Sequence, residues 1–129
     1  MTIPADHPKI KPAKIGVILA NLGTPDATDY WSMRKYLSQF LSDKRVVDYS
    51  AWLWQPLLQG IILTRRPFSS GKAYRSIWNN ELNESPLLTT TRLQANAVKK
   101  EVEKIYGNDV IVDFAMRYGN PSTESVIKN

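Results

Sequence analysis

The first long apolar run of the chain, "KIGVILANLGTP", starts at a lysine, carries Ile15, Val17, Ile18 and Leu19, and closes on Gly23-Thr24-Pro25. A β-branched run feeding a glycine-proline turn predicts a buried strand. Tyr30, Met33, Leu37 and Phe40 then recur at i, i+3, i+7 and i+10, which gives one apolar face to a helix opening near Thr28 or Asp29 and ending at Ser42-Asp43. "AWLWQPLLQGIIL", Ala51 to Leu63, is apolar nearly all round, yet it holds a proline and a glycine and falls short of the roughly 20 residues that span a bilayer. "RRP" follows at Arg65 to Pro67, then a short predicted helix around Lys72 to Trp78 and a polar loop, "NNELNES". From Pro86 to Tyr106 a long helix is predicted, with Ala95, Val98, Val102 and Ile105 on one stripe and Gly107 as its stop. "DVIVDFAM" predicts a second strand, Val110 to Met116, and "GNPSTESVIKN" opens another helix with Ser122 as candidate N-cap.

Strand, helices, strand, helix is the order of an α/β layer with parallel strands and right-handed crossovers. Two strands do not make a stable doubly wound sheet, so the chain is expected to be the front part of something longer. At 129 residues it has room for one domain, or part of one. A composition of 43% hydrophobic and 22% charged residues is that of a soluble globular protein, and the 8 prolines are scattered rather than gathered in a low-complexity tract. The 17 Lys and Arg against 12 Asp and Glu leave +5, which suits an anionic partner: a phosphate, a carboxylated small molecule, nucleic acid or an acidic membrane surface. The basic residues are dispersed and no nucleic-acid recognition motif is present, so nucleic acid is not expected. With no cysteine, a disulfide framework, a thiolate zinc site and a thiol nucleophile are excluded within this chain. The opening "MTIPADHPKIKP" is polar and proline-punctuated, which predicts a loose tail on a cytoplasmic protein rather than a secretory signal. His7, the only histidine, sits in that tail, where neither a metal ligand nor a general base is expected.

In an open parallel sheet, ligands sit outside the carboxyl ends of the strands. Two predicted loops lie there: "NLGTP", where Gly23 permits a close approach just after Leu22, and Arg117-Tyr118 after the second strand. They are expected to face one cleft. Neither a dinucleotide fingerprint nor a P-loop is present, which disfavours nucleotide binding. The plainer readings are a turn without a ligand and a surface arginine beside a half-buried tyrosine. Arg65-Arg66 reads either as a solvated helix end, where cations suit the C-terminus, or as a clamp for a carboxylate. Beside it lies the patch of Trp52, Trp54, Leu57, Leu58, Ile61 and Ile62, which also reads as core packing. An apolar wall beside two arginines fits a large flat ligand with acidic edges.

"VILANLGTPDA", "YLSQFLSDKRVVD", "GIILTRRP", "AYRSIW", "ESPLLTTTRLQA" and "AMRYGNPS" occur in this order and spacing, and together they closely resemble the amino-terminal part of the ferrochelatase family, from about Lys14 to Asn129. The resemblance implies two Rossmann-like α/β domains with the active site between them. Residues 1–13 are then a flexible tail and residues 14–129 an incomplete first domain, with the family's catalytic histidine and its acidic partner downstream of this chain. The isolated chain is accordingly expected to be inactive, with no catalytic residue and no metal site of its own. By position, Leu22 matches a residue lying against the porphyrin macrocycle. Arg66, Tyr74 and Ser85 match contacts to the porphyrin or its propionates, and Arg117 and Tyr118 match a pair on the inner wall of the cleft. The segment from Trp52 to Leu63 resembles the lip of the pocket, through which Trp52, Trp54, Leu57 and Ile61 are expected to meet a membrane surface. No cofactor is implied, and ferrous iron is a substrate. The alternative is a non-catalytic module that binds porphyrin or a membrane surface.

Overall fold

The computed structural model describes residues 13–128; His7 and all but the last residue of the expected tail lie outside the described residues. Two strands, β1 (Ile15–Thr24) and β2 (Val110–Gly119), pair in parallel, with Ile15 opposite Val110 and Thr24 opposite Gly119. Between them run α1 (Tyr30–Ser42), α2 (Ala51–Leu57), a five-residue π segment (Leu58–Ile62), α3 (Leu63–Ile77) and α4 (Pro86–Tyr106), and after β2 comes the short α5 (Thr123–Lys128). This is the predicted α/β layer of parallel strands flanked by helices.

Local chemistry accounts for several boundaries. Asp29 caps α1, its carboxylate accepting from the backbone N–H groups of Trp31 and Ser32 at 2.9 and 3.1 Å. Ser85 caps α4 in the same way through Leu88 N–H, with Pro86 in the first turn and Gly107, at φ 59°, ending the helix. Ser122 accepts from Ser125 N–H at 3.2 Å and opens α5.

Three expectations are corrected. The short helix at Lys72 to Trp78 is the end of one helical run from Ala51 to Ile77, unbroken at Pro67. Proline removes the N–H that would bond the carbonyl four residues earlier, which for Pro67 is that of Leu63. That oxygen instead accepts from Arg34 Nη1 at 2.6 Å and Tyr30 Oη at 3.1 Å, both on α1. Arg65 and Arg66 therefore sit in the first turn of α3, inside the run, and not at a helix end. The second strand extends past Met116, so Arg117 and Tyr118 belong to β2 rather than to a loop. It extends because Gly23 and Tyr118 continue the ladder. Gly23 has φ +121°, and a Cβ there would lie 1.9 Å from the Tyr118 carbonyl oxygen, so the close approach it permits is to the neighbouring strand.

The core sits where α1 and the π segment meet the end of β2. Met33, Tyr36, Leu37, Leu58, Leu63 and Tyr118 form it, with Phe40, Leu41, Trp54, Ile62 and Tyr74 packed against it. The third correction concerns β1, read as a buried strand: Ile15 is 65% exposed, and Val17 and Ile18 are also exposed. Helix α4 packs mainly on β2, and of its predicted stripe only Ala95 is buried, while Ile105 is exposed.

Candidate functional site

Alternation along β2 sends Val112, Met116 and Tyr118 into the interior, while Ile111, Asp113 and Arg117 are exposed. Tyr118 and Arg117 should therefore diverge, yet a single carboxylate gathers them. Asp43, at the C-terminal cap of α1, accepts from Tyr118 Oη at 2.8 Å and from Arg117 Nη2 at 2.6 Å, both on Oδ2, while Arg117 Nε donates to Tyr118 Oη at 3.0 Å. The other carboxylate oxygen accepts from Arg45 N–H at 2.8 Å. The hydrogen bond from Arg117, then those from Arg45 and Tyr118, hold the Asp43 carboxyl well below the usual carboxylate range. The same contact raises the Arg117 guanidinium above its ordinary value. One residue upstream of this end of β2, the last turn of α1 adds a second tie through Phe40, whose ring stands edge-on to Tyr118 at 5.3 Å. A third runs from Gly119 N–H to Gln39 Oε1 at 3.0 Å.

Behind this corner lies a tyrosine pair. Tyr36 donates to the Gly23 carbonyl at 3.3 Å and meets Tyr74 edge-on, with ring centroids 6.3 Å apart. Burial, with Tyr74 beside it, pushes the Tyr36 phenol above its ordinary value. In front, between the end of α1 and the long helical run, opens a groove of about 340 Å³ lined by Leu41, Trp54, Ile61, Ile62, Arg65 and Arg66. Trp54 lines it, fixed by its indole N–H donating to the Leu41 carbonyl at 2.8 Å. The same side chain borders an adjoining hollow of about 380 Å³ with Tyr49, Ser50, Leu53 and Leu57.

Of the residues singled out from sequence, Tyr74 and Tyr118 share the aromatic core, and Arg66 lines the groove together with Trp54, which packs against that core. Arg117 joins Tyr118 through Asp43. Leu22 stands outside this group on β1, 50% exposed, and Ser85 is buried at the head of α4, where its oxygen caps the helix. Trp52, Leu57 and Ile61 are exposed on the helical run and Trp54 is half-buried. Asp43 and Tyr36 were not legible as site residues. Asp43 reads locally as a helix end, and 74 residues separate it from Arg117. Among the described residues no group of three or more acidic or histidine side chains is placed to hold a metal ion, and no helix is long and apolar enough to cross a membrane.

A parallel α/β layer flanked by helices is of the open-sheet class, whose ligands sit outside the carboxyl ends of the strands, and an apolar groove beside two arginines lies between α1 and the helical run. The family model described as ferrochelatase matches residues 14–129. A ferrochelatase of Rhodobacter capsulatus is 64% identical over 125 residues, which cover 96% of this chain and 36% of that relative. Ferrochelatases of Rhizobium etli (strain CFN 42) and Agrobacterium fabrum are 57% and 53% identical, each match covering 97% of this chain and 36% of the relative. The chain belongs to the ferrochelatase family, and it spans about a third of the length of these curated relatives.

Proposed function

We propose that residues 14–129 build one wall of the porphyrin cleft of a ferrochelatase, a lyase that inserts ferrous iron into a porphyrin in haem biosynthesis, as the first α/β domain of a two-domain enzyme. The observation that carries this reading is the family match over residues 14–129 falling on a chain whose groove sets an apolar wall beside two arginines. A porphyrin is a flat apolar disc with acidic side arms, and such a ligand needs both. Trp54, Ile61 and Ile62 take the disc's edge, and Arg66 receives a propionate; Ser85, buried with its oxygen on Leu88 N–H, keeps its capping role. Leu22 lies against the macrocycle, Tyr74 contacts the porphyrin or a propionate, and Arg117 and Tyr118 line the inner wall. Metal entry requires the ring nitrogens to tilt out of plane, so a rigid wall converts binding energy into distortion. The packed aromatic core behind the groove supplies that rigidity. The histidine that takes the departing protons and its acidic partner belong, on this reading, to the second domain. No resident cofactor is required, and iron is a substrate.

The reading includes a cytoplasmic protein that touches a membrane surface through Trp52, Trp54, Leu57 and Ile61, three of which are exposed on the helical run. The test takes the protein at the length its cells make and measures protoporphyrin binding by fluorescence and ferrous iron insertion by absorbance. Binding with insertion is expected. Porphyrin binding without insertion would favour a non-catalytic binder, and no binding would sink the proposal. Arg66→Ala should weaken porphyrin binding by about 1.5–3 kcal/mol, the loss of a charge-assisted hydrogen bond covered by the ligand; unchanged affinity would remove that role.

A further inference from the structure

Two cations, Arg65 and Arg66, line the groove and a third, Arg117, stands at the end of β2, and the structure treats them differently. Neither Arg65 nor Arg66 is ion-paired with another described residue. Arg117 is paired with Asp43, and its Nε is spent on the Tyr118 hydroxyl. The carboxylate that holds it is itself held: Arg45 N–H fixes one oxygen, and the backbone N–H groups of Val46 and Val47 close a turn on the Asp43 carbonyl at 2.9 and 3.0 Å. Asp43 is thus aimed by its own loop, and Arg117 comes to it. The Asp43 side chain is 19% exposed against 44% for Arg117, so the acid is the more deeply set partner. A guanidinium engaged in this way is charge-compensated and oriented, so it attracts a ligand carboxylate less than an unpaired arginine does, even with its Nη1 free.

We propose that Asp43 is a positioning residue of the cleft: it holds Arg117 and Tyr118 as one unit at the end of β2 and keeps Arg117 out of carboxylate recognition, which falls to the unpaired arginines of α3. This rests on reading the groove as a porphyrin site. It assigns Arg117 a wall-building role and makes the acid–ester discrimination of the site a property of Arg65 and Arg66.

The test compares affinity for protoporphyrin with affinity for its dimethyl ester, which keeps the disc and removes the acids. Asp43→Asn is isosteric and retains an oxygen for Arg45 N–H, but it presents no charge to Arg117. The ratio of acid to ester affinity should rise about three- to tenfold as Arg117 is released, the range for a partly exposed charge-assisted contact. Adding Arg117→Met to Asp43→Asn should return the ratio to the wild-type value, which a general loosening of the fold would not do. An unchanged ratio in Asp43→Asn overturns the inference. Independently of how that variant folds, Arg66→Met should lower the wild-type ratio more than Arg117→Met does. An equal fall in both would mean that Arg117 holds a carboxylate in the native protein, and would overturn it. A wild-type protein that binds neither porphyrin would sink the functional reading and this inference with it; binding with an unchanged ratio would sink the inference alone.

Discussion

Three carboxylates are held below their ordinary range, the α1 cap Asp29 first by its hydrogen bonds from Ser32, and the two that are ion-paired, Asp43 and Glu84, carry the sharper expectation. Asp43 is held below its ordinary range first by Arg117, and Glu84, nearly buried at the head of α4, is lowered first by its hydrogen bond from Arg92 and further by Thr89. In both cases the folded-state value lies below the unfolded one, so the unfolded chain binds more protons in acid. Their stabilisation is therefore complete above about pH 4.5, the unfolded carboxylate range, and is lost as the pH falls through the lowered folded values. Urea midpoints should fall steadily between pH 5 and about pH 2.5, and Glu84→Gln should flatten that decline. A midpoint independent of pH in this window would show that neither pair stabilises the native state. At residue scale, little of this was readable in advance. Glu84 lies in the polar "NNELNES" stretch, and nothing in the local pattern separates it from Glu81, because the partner that lowers it is eight residues away on α4.

Among the elements, the helical run from Ala51 to Ile77 departs furthest from its local signals. Pro56, Gly60 and Pro67 each argue for a break, and the chain answers with a π segment at Leu58–Ile62 and continues. Arg34 on α1 makes this possible: besides the Leu63 carbonyl it reaches the Gln59 carbonyl at 3.3 Å, so one guanidinium serves two backbone oxygens along the irregular turns. Arg34→Met should cost about 1–3 kcal/mol, chiefly the penalty for leaving the part-buried Leu63 carbonyl without its charged donor. Amide exchange should quicken selectively in residues 58–66. Uniform quickening across α1 and α4 would instead indicate global destabilisation without a specific role at the π segment. The long α4 is the opposite case. Its serine cap, first-turn proline and terminal glycine are all local, and its predicted ends, Pro86 and Tyr106, are those observed.

At the scale of the whole molecule, the sheet is the feature with the clearest consequence. Each of its two strands is an edge, and Ile15, Val17, Ile18 and Ile111 are exposed. Beside them α5 leaves a hollow of about 500 Å³ that includes Val126 and Ile127. Exposed apolar strand edges template further pairing. The 129-residue chain prepared by itself should bind a hydrophobic dye and self-associate with concentration in sedimentation, and Ile111→Lys should reduce both. A monodisperse chain without dye binding would mean that this face is covered in solution by something other than another copy.

The sequence by itself determined whatever depends on neighbours within a turn or two. Asp29, Ser85 and Ser122 cap helices because their side chains reach N–H groups two or three residues on, and the β-branched runs at Ile15 and Val110 are strands because those residues suit an extended backbone. The fold class followed from the order of these elements, and the family from six stretches in register. Only the tertiary structure decided how far β2 runs, since Gly23 opposite Tyr118 is a pairing between distant segments. It also decided that Pro67 does not end a helix, since the carbonyl it orphans is served by α1. The tie of Arg117 to Asp43 belongs here as well. These are contacts between segments 29 or more residues apart in the chain, made by groups whose identity fits many partners, and the fold alone brings the chosen partner within reach.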